Sequence, residues 1–592
     1  NPSEGDEDEL LSQDFFLDAG EKQARGTPLN KSYKIKIRDM IGGLPVAALD
    51  TYEIRYGPAA QKMLDQAAAT RDWAKLGEVR RMYFHTQAGY DASWLLAQHE
   101  MFQGHPIAAS ALLDDIVILP RAINRLGKGV LVLHAAACKL ANRKLPATLD
   151  GVSGQAGQVS IAGAEQTGPK QGELAQWLDQ FYGAVGKLPA GQIENYLVYN
   201  ASENRNGASS GQMPLSNVRW QLDTTVSPKQ EREVKELSKS LASSGQLPPP
   251  SWVPLKVGKQ LLMRTTEYLV GVDYRTGKRI WLHPWSSTKD DDQTTEANAA
   301  LTGGVKGNLG VTEFLRQRVW NDVPYGQVTS DGERVYLLDG LKNLNATGSR
   351  GFAMVRSVQP NGNSLIALEL ASEGTLKWFQ GARSGADSPL ADAFFLGPPL
   401  PIEGRLYVMC ELAGDIFLLC LEPRTGKEIW RQQLVAVESG TITRDRIRRV
   451  AGAMLSYQDG VLICPTGAGA LVAVNLGDRT LRWGVSFERN STMNRFVQQR
   501  GAFDTKQLMQ RWFSGTAIIS DSSVLITPVE SDRLLGFNLM TGKALFTQKI
   551  RLEMRYLAGI RGDNFYVVGP TVMKAYDLAN GSQVWKTNSD VF

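Results

Sequence analysis

A mainly β fold, in which a ring of small antiparallel sheets forms a β-propeller behind an α-helical repeat domain, is what this sequence predicts. Three observations predict it. A strand–turn–strand phrase recurs six times after residue 250. β-rich runs precede several of the copies. The N-terminal part carries Ala-rich segments with helical spacing. At 592 residues the chain is too long for one hydrophobic core, so two or more domains are expected.

The phrase is clearest at Gly271-Val-Asp-Tyr-Arg-Thr-Gly-Lys-Arg-Ile-Trp281. Leu269 to Asp273 reads as a strand and Arg275-Thr276-Gly277 as a tight turn, Gly277 supplying positive φ. Lys278 to Trp281 begins the return strand. The same order of small residue, acid or Asn, turn, Gly and aromatic recurs around Glu422, Gly426 and Trp430. It recurs around Asn475 and Trp483, around Asn538, Gly542 and Phe546, and around Asp577, Gly581 and Trp585. A copy one residue longer runs through Glu369, Gly374 and Trp378. Runs such as Arg405-Leu-Tyr-Val-Met409 and Asn564-Phe-Tyr-Val-Val568 precede the copies, so each unit reads as about four short strands.

One four-stranded sheet cannot bury both of its faces; stacking such sheets radially does so and leaves short edges. A large flat indole suits the space between blades, with its N–H on a neighbouring backbone carbonyl. Asp273, Gly277, Trp281, Gly374, Trp378, Gly426, Trp430, Trp483, Gly542, Asp577, Gly581 and Trp585 therefore read as a structural blade motif. Trp281, Trp430, Trp483 and Trp585 are expected to be buried between blades.

The A-x-D-x-x-T-G-x-x-x-W pattern resembles the PQQ-like (quinoprotein-type) β-propeller repeat family over roughly residues 216–592. That family includes quinoprotein alcohol dehydrogenases. It also includes non-enzymatic members, such as the lipoprotein scaffold of the outer-membrane β-barrel assembly machine. The resemblance implies seven or eight blades in the intact ring and a cell-envelope location, periplasmic or extracellular. Six repeats are visible and only Lys586 to Phe592 follow Trp585. The ring is expected to be completed by sequence beyond Phe592, or by the strand-like Val218 to Leu222 and its neighbours.

Composition narrows the function. The net charge of +4 over 592 residues leaves no strong nucleic-acid or membrane-surface footprint. No run of eighteen apolar residues is present, so no transmembrane helix is expected. The chain begins at Asn1 and not Met, which fits a removed leader or a segment upstream. The four cysteines, Cys138, Cys410, Cys420 and Cys464, form no CxxC. Cys410 and Cys420 fall on adjacent strands, but a turn near Ala413-Gly414 does not set them opposite each other.

Residues 1–50, with the acidic run Glu4 to Glu9, read as a tail. The alternative is that Leu10-Leu11 and Phe15-Phe16-Leu17 anchor on another protein. Residues 51–145 read as tetratricopeptide-like helices. Ala59 to Ala69 pairs with Trp73 to Tyr83, and Ala92 to Gln103 pairs with Pro106 to Val117. A third helix, Ala122 to Asn142, is nicked at Gly127-Lys128-Gly129. Ala92, Ala97, Ala108, Ala109 and Ala135 to Ala137 permit close packing. His134 and Cys138 stand four apart; with no second His or Cys pair they read as core residues and not as a metal site.

Residues 146–215 read as a linker with a helix, Glu173 to Lys187, bracing the propeller against the helical domain. Asn200 to Gly211 reads as a polar loop, and Ser227 to Leu241 as a charged helix or extended loop. Residues 216–592 hold the propeller, with insertions at Ser286 to Val319 and Asn490 to Trp512. Lys289-Asp-Asp-Asp292 reads as a solvated loop, Val311 to Val319 as an amphipathic helix. Arg444, Arg446, Arg448 and Arg449 read as a solvated edge. Phe496, Arg500, Phe503 and Trp512 are candidate protein-binding residues, because long insertions on a regular scaffold are where contacts are made.

By the same resemblance, a dehydrogenase would show adjacent cysteines, calcium ligands and a catalytic Asp, and none of these can be placed. There is no Walker loop, H-E-x-x-H or G-x-S-x-G either. No catalytic, cofactor-binding or metal residue is assigned. The expected function is a non-catalytic scaffold or assembly protein of the bacterial cell envelope that binds other proteins. The alternative is a quinone-dependent dehydrogenase or a small-ligand-sensing propeller.

Overall fold

The structure, a computed structural model, describes residues 13–17, 28–30, 32–141, 143, 158–161, 164–167, 173–182, 195–207, 218–225, 227–243, 251–284, 319–320, 322–339, 362–381, 388–437, 442, 445–489, 512–549 and 554–588. The acidic run at Glu4, the loop around Asp291, the helix expected at Val311 and the candidates Phe496, Arg500 and Phe503 lie outside these residues.

The helical domain comprises α1 (Tyr33–Gly42), α2 (Val46–Thr70), α3 (Trp73–Tyr83), α4 (Gln87–Gln103), α5 (Pro106–Val117), α6 (Pro120–Leu126) and α7 (Gly129–Leu140). Local chemistry sets the ends. Asp72 caps α3 by accepting from the Lys75 amide at 3.0 Å, and Thr86 caps α4 by accepting from Gly89 at 3.0 Å. Gly104, at φ 81°, ends α4, and Pro106 opens α5. Gly127, at φ 75°, splits the expected third helix into α6 and α7. The domain also begins earlier than the sequence suggests. α1 and the start of α2 fall in the expected tail of residues 1–50, and α2 runs through Pro58. Ala92, Ala97, Ala109 and Ala135 to Ala137 all lie in one buried core. A further helix, α8 (Leu174–Tyr182), adds Trp177 and Leu178 to that core, and Lys139 reaches Asp179 at 2.5 Å. Among the described residues α8 thus packs on its own domain and not as a brace to the propeller.

Among the described residues six antiparallel sheets follow in chain order as blades 1 to 6: residues 255–284, 329–381, 394–436, 456–486, 518–549 and 556–588. Blade 3 carries a fifth short strand, Phe394–Phe395. The first strands of neighbouring blades approach one another around the axis. In every blade the aromatic of the motif pairs across the ladder with the motif's small residue: Gly271 with Trp281, Ala367 with Trp378, Cys420 with Trp430, Ala473 with Trp483, Gly536 with Phe546 and Ala575 with Trp585. The reason is steric. A Cβ on Gly271 would stand 2.3 Å from the Trp281 indole.

The aromatic then lies on the turn glycine of the next blade. Trp281 covers Gly374, Trp378 covers Gly426, Trp483 covers Gly542 and Phe546 covers Gly581; a Cβ at any of these glycines would fall 2.4–2.7 Å from the ring. Each of the four has φ between 68° and 74°, so both conformation and space demand Gly. Trp378 Nε1 donates to the Pro423 carbonyl and Trp483 Nε1 to the Leu539 carbonyl, both at 2.8 Å. The acid two positions after the small residue folds the turn. Asp273 Oδ1 accepts from the Thr276 amide at 2.8 Å and its hydroxyl at 2.7 Å, and Asp577 and Asn538 make similar turns.

Two of the expected buried tryptophans differ. Blade 4 has Arg479, at φ 55°, where the other turns have Gly. Its guanidinium sits 5.3 Å over the Trp430 ring, which is only half-buried. Trp585 is 39% exposed, because no further blade turn covers it among the described residues. Val218 to Leu222 is not a strand. A cavity of about 540 Å³, lined by Val253, Lys256 and Ala558 among others, lies between blades 6 and 1.

Other expectations are corrected by burial. Residues 13–17 anchor on the chain itself. Asp14 is fully buried, its amide donating to Gln432 at 2.8 Å and its carboxylate accepting from Ser32 and from the Leu481 amide. Phe16 lies against Gly484, and Leu29 pairs with the same residue along the edge of blade 4. Trp512 is 5% exposed in the core shared by blades 5 and 6, so its indole is not a surface residue. Arg448 is not solvated but paired with Glu411 at 2.6 Å, both buried. Its neighbour Arg449 lies 5.4 Å over Phe394. Cys410 and Cys420 face Phe417 and Tyr407 instead of each other, and all four cysteines are free.

Candidate functional site

Residues 195–207 form a collar inside one mouth of the propeller. They touch the first strands of the blades in chain order. Tyr196 pairs with Lys256 of blade 1, and the Leu197 carbonyl accepts from Ser330 of blade 2 at 2.9 Å. Val198 belongs to the same buried apolar cluster as Ile402 of blade 3. Glu203 and Asn204 accept through their carbonyls from Tyr457 of blade 4 and Ile519 of blade 5, each at 2.9 Å. Asn206 exchanges two bonds with Ile560 of blade 6 at 2.8 and 3.0 Å.

The curl is set by Asn200, Ala201 and Arg205, all at positive φ, and by Gly207, where a Cβ would stand 2.6 Å from the Asn200 carbonyl. Arg205 is the pin. It is fully buried and donates to the Leu455 carbonyl at 2.9 Å and to the Tyr199 carbonyl at 3.1 Å; burial lowers its pKa to about 10. The sequence reading saw only a polar loop from Asn200. The missed signal is the density of backbone-bonding side chains in Asn200-Ala-Ser-Glu-Asn-Arg-Asn206.

The helical domain sits on the same face. Arg80 of α3 is buried and donates to Asp478 of blade 4 at 2.9 Å and to Asp115 of α5 at 2.5 Å. Arg38 of α1 adds a bond to Asp115 at 2.9 Å. Thr480 donates its hydroxyl to Asp478 at 2.6 Å. Burial would raise the Asp478 carboxyl, but Arg80 and Arg38 outweigh it and hold that carboxyl below its ordinary value. Small residues allow this approach: Ala108 meets Gly460, and Gly77 meets Gly477.

Collar, blades and helices meet at His105, between α4 and α5. Its Nδ1 is 2.9 Å from Glu100 Oε2, and Asp459 and Glu403 act on it from blades 4 and 3. The Glu100 hydrogen bond raises the His105 pKa above 6.5. Burial raises the carboxyls of Glu203, Glu403 and Asp459. A cavity of about 670 Å³ opens beside them, lined by Glu203, Asp331, Arg334, Glu403 and Arg405 among others. Arg334 is already engaged by Asp331 and Glu333, each at 2.9 Å.

One set of metal-type side chains converges among the described residues: Asp114, His134 and Cys138, in the helical domain. The sequence paired His134 with Cys138 as core residues, and both are buried; Asp114 of α5 joins them in space.

One family model matches part of the propeller region, and several solved structures show a distant likeness. The family whose model is described as outer membrane protein assembly factor BamB matches residues 305–587. No curated protein matches the chain. Among solved structures, BamB from Moraxella catarrhalis is similar at 13% identity and TM-score 0.33, over 57% of this chain and 76% of that one. A europium-containing methanol dehydrogenase is similar at 11% identity and TM-score 0.37, over 68% and 79%. Quinohemoprotein alcohol dehydrogenase from Comamonas testosteroni is similar at 10% identity and TM-score 0.32, over 68% and 74%. With six blade sheets among the described residues, the recurrent turn motif and the match over residues 305–587, the C-terminal part of this chain is a β-propeller of the PQQ-like type.

Proposed function

We propose that the chain is a non-catalytic scaffold of the bacterial cell envelope, which holds other proteins together through its helical domain and propeller insertions. The observation that carries this reading is the collar. Residues 195–207 fill the mouth of the propeller and bond to the inner strands of five of the six blades, with Val198 in the same buried apolar cluster as Ile402 of the remaining one. The collar occupies the inner strands' hydrogen-bonding edge with backbone and with the buried Arg205, which favours a structural use of this mouth.

Two further features support a scaffold. The buried Arg80–Asp478 pair fixes the helices to blade 4, which gives one body with two faces to offer. The helical domain also leaves Met40, Val46 and Ile54 exposed, at 63, 69 and 78%, a set of apolar side chains that suits contact with another protein. The insertion carrying Phe496, Arg500 and Phe503 is a second contact region in this reading.

The test is native purification from the envelope fraction, with mass spectrometry of the intact particle alongside a dye-linked alcohol oxidation assay with added pyrroloquinoline quinone. A stoichiometric complex without quinone-dependent turnover is expected. Robust turnover by a solitary chain would overturn the proposal.

A further inference from the structure

His134 and Cys138 stand one turn apart on α7, and Asp114 reaches them from α5. His134 Nε2 lies 2.8 Å from Asp114 Oδ1 and 3.5 Å from Cys138 Sγ. The ligand-type atoms of all three lie within 4.8 Å of one another. His134 and Cys138 are each 1% exposed, whereas the Asp114 side chain is 37% exposed, so the cluster opens to solvent on one side. The second Asp114 oxygen is held by Arg143 Nη2 at 2.9 Å, and Arg143 is itself anchored on Ser110 at 2.6 Å.

A His–Asp hydrogen bond accounts for Nε2 and Asp114 but gives the Cys138 thiol no acceptor on the ring. A ring nitrogen carries either a proton or a lone pair. With a proton, Nε2 serves Asp114 and the thiol S–H is left without the ring as acceptor. Without one, it accepts from the thiol and turns a lone pair on a carboxylate 2.8 Å away. A nucleophilic Cys–His–Asp set uses the two ring nitrogens for different partners. Here both contacts fall on Nε2, and Nδ1 has no partner. A cation, by contrast, accepts lone pairs from all three atoms at once.

The spacing also fits. Ligands at about 2.0–2.3 Å from a tetrahedral zinc ion stand roughly 3.2–3.8 Å from one another. The Nε2 to Sγ distance of 3.5 Å already has that value. A small rotation of the half-buried Asp114 opens the other edge.

We propose that Asp114, His134 and Cys138 form a three-ligand site for zinc that clamps α5 to α7. Binding forms the zinc–sulfur bond as the thiol proton leaves to solvent. The fourth position is taken by water from the Asp114 side, with Arg143 orienting the carboxylate from behind. The site is independent of the scaffold reading, since it concerns only the helical domain.

The test uses the full chain, stripped with a chelator and titrated with cobalt(II). One equivalent should bind, with a sulfur-to-cobalt charge-transfer band in the near ultraviolet, and zinc should displace it. Cys138→Ser should abolish that band. Asp114→Asn, at a partly exposed position, should keep the fold by circular dichroism and measurably weaken zinc binding in calorimetry, since a charged ligand oxygen becomes a neutral amide. Absence of the band in the unsubstituted chain would overturn the proposal. So would a band that survives in Cys138→Ser, or unchanged zinc affinity in a folded Asp114→Asn protein.

Discussion

The indole of Trp220 lies against Gly277, and its Nε1 donates to the Tyr274 carbonyl at 3.1 Å. This is the contact that Trp378 makes with Gly426 and Pro423, and Trp483 with Gly542 and Leu539. A residue outside any strand therefore does for blade 1 what the preceding blade's tryptophan does elsewhere. Trp220→Ala should lower stability by about 1–2 kcal/mol, read as a shift of the denaturant midpoint. No shift would mean that the contact is incidental.

The buried and exposed tryptophans should separate cleanly. Trp483 is fully buried and Trp585 is 39% exposed. Trp483→Ala is expected to cost about 3–5 kcal/mol, and Trp585→Ala less than about 1 kcal/mol, because little apolar contact is lost there. Parallel denaturant melts check this. Equal losses would place an unseen partner on Trp585.

Arg80 joins two domains through one buried carboxylate. Arg80→Met leaves Asp478 buried with Arg38 as its nearest remaining cation, and should cost about 3–5 kcal/mol. Adding Asp478→Asn should recover part of that loss. The pH sign follows from the depressed Asp478 carboxyl. Its contribution is present above the ordinary value of 3.8 and is lost as pH falls through the lower folded value. A melting series between neutral and acid pH, on the parent and on Asp478→Asn, checks this sign.

His105 carries the opposite dependence. Glu100 raises its pKa above 6.5, so its contribution is complete below 6.5 and fades as pH rises through the folded value. Glu203, Glu403 and Asp459, raised by burial, also favour their protonated forms in the fold, which adds a loss in the same direction. His105→Gln should flatten the part of the Tm profile just above pH 6.5. An identical profile in both proteins would remove His105 from the interface.

Much of this architecture was legible because it is local. Gly277, Asp273 and Trp281 declare a turn, its cap and a packing aromatic within nine residues, and the repetition multiplies the signal. Trp430 was expected to be buried like the rest, and the Arg479 that replaces the turn glycine of the next repeat is what leaves it half-buried. What was not legible depends on partners far away in sequence. Asp14 reads as one more acid of a tail until Gln432 and Leu481 surround it. The collar pairs residues up to 354 positions apart, and Asp114 meets His134 only once α5 and α7 pack. The start of the helical domain was hidden in the polar sequence of the first fifty residues, where α1 takes its N-terminal cap from Ser32.

The most direct test of the scaffold reading is the mass of the native particle by light scattering, before and after deletion of residues 490–511, which spares the buried Trp512. Expected is a particle well above the monomer mass that loses partners on deletion while the propeller still melts cooperatively. A solitary monomer in both preparations would contradict it.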